Sequence, residues 1–401
     1  MPWIIATTLT VFVPLLVLYW YVGRGLADAI TRYFGVDRKK VGKYIWGIGA
    51  YANAFPVLFL IIFLWRGQSR IPAFAGESVL VDLFFAYPFW FGLVITVQMA
   101  LVLLVMDLGR LVLWPLYRPR RETWKKKSSA VILAFAVFIA VYSVATIIND
   151  TWTVRIVERE FRLPAEAERL EGITLVHISD VQGDGRTTRS RLESYVQQIN
   201  DLQPDILLFS GDLVSSGEAY IASTAEILSN IRAPFGKIAV VGDHDIFSDK
   251  DSVVSSLRKG GFVIEDDTTV SISVNGEAIS VTLLTHTYRQ RPDNEDLKKA
   301  VNGADGVLRI LLVHQPAEHL VDFASSQGYH IFLAGHTHGG GVAFGIPGVF
   351  LFSPALTESR FVSGFYYVSS MLVSVTNGIG MTLAPIRFHA PAEITVIRLV
   401  R

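Results

Sequence analysis

Ile331-Phe332-Leu333-Ala334-Gly335-His336-Thr337-His338-Gly339-Gly340-Gly341 is the stretch around which the rest of the chain is organised. Its first four residues form a short apolar run of the kind found in a strand buried on both faces. The glycines that follow let the backbone turn sharply and come close to a ligand. Two histidines one residue apart on such a turn direct their imidazoles into one space. Imidazole is the commonest neutral ligand for a transition ion, so the pair suggests a metal site wherever other ligands converge on it. Alone, it reads equally well as a polar loop with two solvated histidines.

Other ligand-type residues fall into line with it. From about Thr151 the chain alternates short, β-branched apolar runs with helical patterns. The runs are Ile173 to Ser179, Asp205 to Ser210, Ile238 to Val241, Arg309 to Val313 and Ile331 to Ala334. Helical patterns cover Arg189 to Leu202, Ala219 to Arg232, Ser252 to Lys259, Glu295 to Val301 and Pro316 to Ser325. Such alternation predicts an α/β domain of roughly 250 residues, and Asn275-Gly276 between alternating runs predicts a β-hairpin and hence a mixed sheet. Ligands of open α/β sheets gather beyond the carboxyl ends of the strands. The residues there are Asp180, Asp212, Asp243, His314 and the pair His336 and His338. One such aspartate reads as a turn former, but five strand ends in succession point to a site.

The wording of these segments resembles that of a known family. His177-Ile178-Ser179-Asp180-Val181-Gln182, Gly211-Asp212, Gly242-Asp243-His244-Asp245, His314 and Gly335-His336-Thr337-His338 resemble the five-block signature of calcineurin-like metallophosphoesterases. The resemblance covers about residues 150 to 401. Its tail, through Asn377-Gly378 and Pro385-Ile386-Arg387-Phe388 to Glu393-Ile394, is similar to the membrane-associated, multi-span branch. The resemblance implies a four-layer αββα sandwich with a two-metal centre. Asp180 and His338 would hold one metal, with Gln182 beside them. His314, His336 and Asp243 would hold the other, and Asp212 would bridge. A hydroxide shared by the metals would attack the phosphorus while they clamp the phosphoryl oxygens. His244 would stabilise the transition state or protonate the leaving oxygen, with Asp245 orienting it. Two positions depart from the pattern. Gln182 stands where the family has histidine, and Asp243 where it has asparagine. The added oxygen donors favour manganese or iron, with zinc as the alternative.

Outside the blocks, His177, His319 and His389 read as structural, and His286 and Tyr288 read as cleft border or surface loop. Arg289, Arg291 and Arg387 are candidate phosphate contacts, although most exposed arginines have no such role.

The N-terminal third is a different material. The 401 residues are 51% hydrophobic and only 18% charged, with a mean hydropathy of +0.40, which calls for a membrane portion. Apolar runs at about 3–21, 44–65, 83–106 and 130–148 each approach the ~20 residues that cross a bilayer core, so residues 1–150 read as a bundle of four transmembrane helices. The third run reads as one long or tilted helix. Basic residues crowd the first and third connections, from Arg24 to Lys43 and from Arg110 to Lys127, whereas the second has Arg66 and Arg70. Positive-inside reasoning then puts the first and third connections in the cytoplasm of an inner-membrane protein and the domain after Ile148 outside it. The start Met1-Pro2-Trp3 has no basic n-region, so no removable signal peptide is expected. Asn53, Gln98 and Asp107 read as helix-helix or interfacial groups rather than a transport pathway. With 36 basic and 36 acidic residues there is no field to attract nucleic acid, and the absence of cysteine excludes disulfides and thiolate chemistry.

The function expected is a membrane-bound hydrolase of a phosphate or pyrophosphate ester, lipid-linked, with the bilayer as its surroundings. Some similar relatives cleave UDP-2,3-diacylglucosamine, a reading that holds if the domain is cytosolic. A non-catalytic phosphatase-like receptor or scaffold is the competitor from another class.

Overall fold

The computed structural model describes residues 3–66, 78–346, 350–381 and 384–401. Met1, Pro2 and Arg70 lie outside the described residues. The chain divides into two units at Ile148 and Asn149.

The first unit is helical. Helices cover Trp3–Phe34, Arg38–Ala52, Ala54–Arg66 and Val79–Val112, the last with a π-helical stretch at Asp82–Ala86, and a further helix begins at Arg121 and runs to Trp152. Among the described residues three are long and apolar enough to cross a membrane, Phe12–Phe34, Val79–Val112 and Arg121–Trp152, and the bent pair Arg38–Ala52 with Ala54–Ile61 makes a fourth if it is one span. The third apolar run is thus one long helix. The helices overrun the apolar windows because main-chain hydrogen bonding continues into flanking polar residues, and Arg24 and Arg32 are helical rather than loop residues. The run at 44–65 is a pair of helices bent by 42°. Pro56 is the physical reason, since it lacks an N–H and its ring clashes with the carbonyl of Ala52 one turn back. Asn53 at the break turns its side-chain amide onto Gly49 O at 2.8 Å. Gln98 donates to Ser143 Oγ at 2.7 Å, and Tyr21 donates to Asp107 at 2.7 Å, so these polar residues link helices or cap them.

The second unit contains two six-stranded mixed sheets. Strands are β1 (Arg155–Arg162), β2 (Thr174–Ile178), β3 (Ile206–Phe209), β4 (Lys237–Ala239), β5 (Phe262–Ile264), β6 (Thr268–Val274), β7 (Glu277–Leu284), β8 (Leu308–Val313), β9 (Ile331–Ala334), β10 (Phe344–Ile346), β11 (Phe350–Phe352), β12 (Gly364–Val368), β13 (Met371–Val375) and β14 (Glu393–Val400). One sheet runs β1-β14-β2-β3-β4-β5 and the other β12-β13-β9-β8-β7-β6; β10 and β11 pair separately as a small ribbon. Three apolar cores explain the layering. Leu175, Ile206, Leu208 and Ile238 of the first sheet meet Ile279, Leu283, Ile310, Leu312 and Leu333 of the second, fully buried between them. The outer face of the first sheet packs Phe209 and Leu207 on the helices Arg189–Asp201, Ile221–Ser229 and Lys250–Lys259. The outer face of the second packs Leu311, Val313 and Phe332 on Asn294–Ala300 and Glu318–Ser326. Each central strand therefore presents apolar side chains on both faces, and the result is an αββα sandwich.

Adjacent strands β2, β3 and β4 are mutually parallel, as are β13, β9, β8 and β7, so within each sheet the carboxyl ends gather on one edge. The two edges meet. The His336 N–H donates to Asp180 Oδ2 at 3.0 Å, and Ile379 N–H donates to Ser179 O at 3.1 Å, joining the loops of opposite sheets.

Leu208 is fully buried in the inter-sheet core. Leu208→Ala should destabilise the sandwich by about 2–5 kcal/mol, read as a lowered unfolding midpoint of the purified protein in detergent.

Candidate metal centre

The seam between the sheet edges brings together all seven residues expected to bind metal. Asp180, Asp212 and His338 offer ligand atoms within 4.8 Å of one another, and so do Asp243, His314 and His336. Backbone conformation aims them. Asp180, Gln182, Asp212, His336 and His338 all have left-handed φ, between 49° and 69°. Such positions are uncommon outside glycine, cost roughly 1–3 kcal/mol each and persist only where their surroundings impose them. Gly242 shows how close the packing is: a Cβ there would overlap the Asp212 carboxylate.

In the first cluster, Asp180 Oδ1 lies 3.1 Å from His338 Nε2. Burial works against the Asp180 carboxylate, yet His338 and His314 hold it well below the ordinary carboxylate range. Burial keeps His338 below the usual imidazole value, in the neutral form that a metal needs. Gln182 turns its Nε2 onto Asp212 Oδ2 at 2.8 Å. Its Oε1, fully buried, has no hydrogen-bond partner among the described residues. That orphaned oxygen is where a cation would sit.

The second cluster is built the same way. His314 donates from Nδ1 to Ser210 O at 2.7 Å, which leaves Nε2 unpartnered and 3.5 Å from both Asp212 Oδ2 and Asp243 Oδ2. A ligating histidine commonly has its other nitrogen fixed by a carbonyl or carboxylate in this manner. Asp243 Oδ1 accepts from Tyr288 N–H at 2.7 Å and Oδ2 from Gln315 Nε2 at 2.9 Å. Burial would raise its pKa, but His336, His314 and the Tyr288 amide hold it at about 2. His336 Nδ1 lies 3.0 Å from Asp243 Oδ2, and its Nε2 lies 2.9 Å from Glu358 Oε2. Against burial, these two carboxylates push His336 up to about 10. Asp212 faces both clusters, with Oδ1 accepting the His244 N–H at 2.9 Å. Oxygen-rich donors converge, Asp180 Oδ1, Gln182 Oε1 and His314 Nε2 have no hydrogen-bond partner among the described residues, and one carboxylate is shared. The set fits two divalent cations, one held by Asp180, Gln182 and His338, the other by Asp243, His314 and His336, with Asp212 between them.

His244 borders the seam, half-buried. Its Nδ1–H donates to the Ser215 carbonyl, which leaves Nε2 as its free atom. Ser215 is in turn fixed by its Oγ donating to Asp184 at 2.9 Å. The expected orienting role of Asp245 is corrected by this arrangement. Asp245 spends its two oxygens on the N–H groups of Asp212, Leu213 and Gly242, at 2.8–2.9 Å, so it braces the loop that carries Asp212 instead.

Arg387 also departs from expectation. It is buried, and its guanidinium donates to the carbonyls of Gly380, Asn377, Gly378 and Ala390, so it is a strut beneath the site rather than a surface phosphate contact. Arg289 lies 4.4 Å over the Phe247 ring, and Arg291 donates to Thr287 O. His177 is a core residue bonded to Ser210 Oγ at 2.9 Å, and His286 is buried 5.2 Å from the His319 ring. Glu358, Gln315 and Ser215 belong to the site's surroundings without having been expected there.

Comparison with known proteins agrees with the geometry. The family model described as calcineurin-like phosphoesterase matches residues 173–340. The uncharacterized metallophosphoesterase YkuE of Bacillus subtilis is 31% identical over 233 residues, which is 57% of this chain and 79% of that protein. The chain belongs to the calcineurin-like metallophosphoesterase family. Another relative of this metallophosphoesterase, the transmembrane protein with metallophosphoesterase domain of Danio rerio, is 28% identical over 66% of the chain. The match spans 61% of that protein's own length. The uncharacterized metallophosphoesterase Cj0846 of Campylobacter jejuni is 23% identical over 94% of this chain and 95% of its own.

Protonation sets a test of the metallophosphoesterase's second cluster. A raised folded pKa means that protonated His336 contributes its stability below the ordinary value of 6.5 and loses it as pH rises through about 10. A cation at Nδ1 must displace that proton. Manganese affinity measured by calorimetry on the metal-free protein should therefore climb with pH across that interval, with protons released on binding. A flat profile would count against His336 as a ligand.

Proposed function

We propose that the protein is a membrane-bound, two-metal phosphohydrolase that cleaves a phosphate or pyrophosphate ester of a lipid-linked substrate. The carrying observation is the pair of buried ligand clusters sharing Asp212. Two divalent cations held there would supply Lewis acidity to a phosphoryl group and a nucleophilic water at neutral pH. The chain supplies the rest. Asp212 and its brace Asp245 set the spacing of the two halves, Asp180 and His336 tie one half to the other, and His244 presents Nε2 at the rim to protonate a leaving oxygen. With Asp243 and Gln182 in place of asparagine and histidine, the donors favour manganese or iron.

A lipid-linked substrate is supported by the surface beside the site. Between His338 and Glu358 there is no charged side chain. In that stretch Ile346 is 56% exposed, Phe352 63% and Leu356 43%, an apolar patch that water alone does not favour. The apolar N-terminal helices and the name of the zebrafish relative support a membrane location. With the bent pair counted as a fourth span, the basic residues from Arg38 to Lys43 and from Arg110 to Lys127 support a catalytic unit outside the cytoplasm.

Purified protein should hydrolyse a chromogenic phosphodiester or phosphomonoester with manganese and lose that activity to chelator. His244→Ala should lower kcat by about 10²–10⁴ while the protein still takes up two ions. No turnover with any divalent ion would remove the enzyme reading and leave a scaffold. Reporter fusions after Ile148 decide the side: a cytoplasmic signal would instead favour a nucleotide-linked lipid such as UDP-2,3-diacylglucosamine.

A further inference from the structure

Glu358 lies beyond residues 173–340, which the family model matches, and 22 residues after His336, yet its carboxylate touches that candidate ligand. Oε2 accepts from His336 Nε2 at 2.9 Å and from the Tyr288 hydroxyl at 2.7 Å. Tyr288 also places its own backbone N–H on Asp243 Oδ1 at 2.7 Å. Asp243 Oδ2 in turn lies 3.0 Å from His336 Nδ1. These four residues close a ring: Asp243, His336, Glu358, Tyr288 and back to Asp243.

The ring has an inside and an outside. His314 Nε2 and His336 Nδ1 both face Asp243 Oδ2, so the ligand side of the His336 imidazole is its Nδ1 edge. Glu358 occupies the opposite edge. An imidazole that offers Nδ1 to a cation must carry its proton on Nε2, and a carboxylate at hydrogen-bond distance from Nε2 selects that tautomer and makes Nδ1 a better donor of electrons. The turn bearing Glu358 is itself fixed. Glu358 N–H donates to Ala355 O at 3.0 Å, and the next residue, Ser359, donates its buried Oγ to Pro316 O at 2.6 Å, two residues beyond the ligand His314.

We propose that Glu358 is a positioning residue for the second cation site, holding His336 with Nδ1 aimed at the ion, and that Tyr288 holds Glu358 and Asp243 in register. This rests on the two-metal reading above. It assigns to a half-exposed carboxylate a role in metal affinity, where a surface ion pair would have none.

The test uses the full-length protein in detergent, stripped of metal and titrated with Mn²⁺ by calorimetry, with electron paramagnetic resonance reporting the coupled pair. Wild type should take up two ions. Glu358→Ala should weaken one of them by about 10–100-fold and leave the other within about twofold, so the coupled signal fails at Mn²⁺ concentrations that saturate wild type. Glu358→Gln, which keeps an acceptor oxygen without the charge, should fall between. Tyr288→Phe, which removes only the hydroxyl, should weaken the same ion by less than Glu358→Ala. In a His336→Ala background, Glu358→Ala should add no further loss. If wild type binds two ions and Glu358→Ala binds both with unchanged affinity, or if the loss persists without His336, the proposal is overturned. If wild type itself binds fewer than two, the two-metal reading fails and the proposal falls with it.

Discussion

Four carboxylates, those of Asp180, Asp212, Asp243 and Asp245, lie buried where the two sheet edges meet. Gathering that much negative charge away from water is expensive unless each group is hydrogen-bonded or faces a cation. The surroundings of each one follow from this. Asp245 is answered by three backbone amides, Asp243 by the Tyr288 amide and the Gln315 side chain, Asp180 by the His336 amide, and Asp212 by the His244 amide and Gln182. Against burial, the facing carboxylates raise the pKa values of His314 and His336, so these imidazoles are part of the same compensation.

The sandwich exists to hold such a seam open. Apolar side chains fill the space between the sheets and the space outside each, so the strands have no freedom to slide, and their carboxyl ends arrive at fixed positions. The loops that follow carry backbone conformations that a free chain would avoid. Rigidity in the three cores is what tolerates strain at Asp180, Asp212 and His336. The brace from Asp245 shows the same division of labour within one loop: a carboxylate with no ligand role keeps another in place.

Much of this was legible in the sequence because strand-end position is a local property. Short apolar runs such as Ile206 to Phe209 mark buried strands, and the residue beyond each one is readable without knowing the partner strand. Asn275-Gly276 likewise sits at the turn between β6 and β7. What depends on distant partners was not legible. The pairing of β1 with β14 joins residues 155–162 to 393–400, and nothing in either segment names the other. Residue type misled at Arg387, whose guanidinium is satisfied by carbonyls scattered from Asn377 to Ala390. Glu358 lies in a loop with no periodicity or motif, and only the folded chain puts it against His336. The role of Asp245 was inferred from its neighbour in sequence, whereas its oxygens turn towards the preceding strand's loop. Hydropathy located the long apolar helices by their centres, and it does not register where helical hydrogen bonding stops.

The left-handed backbone at five ligand positions narrows the alphabet available to evolution there. Asparagine, aspartate and histidine are the side chains that tolerate this conformation best, and they are also good metal ligands. Coordination chemistry and backbone geometry therefore favour the same residues at these positions. Gln182 is the exception. With φ at 52°, it has a longer side chain than the conformation favours and a weaker ligand atom than imidazole. Glutamine at this position carries a cost on both counts, and the single change Gln182→His would lift both at once.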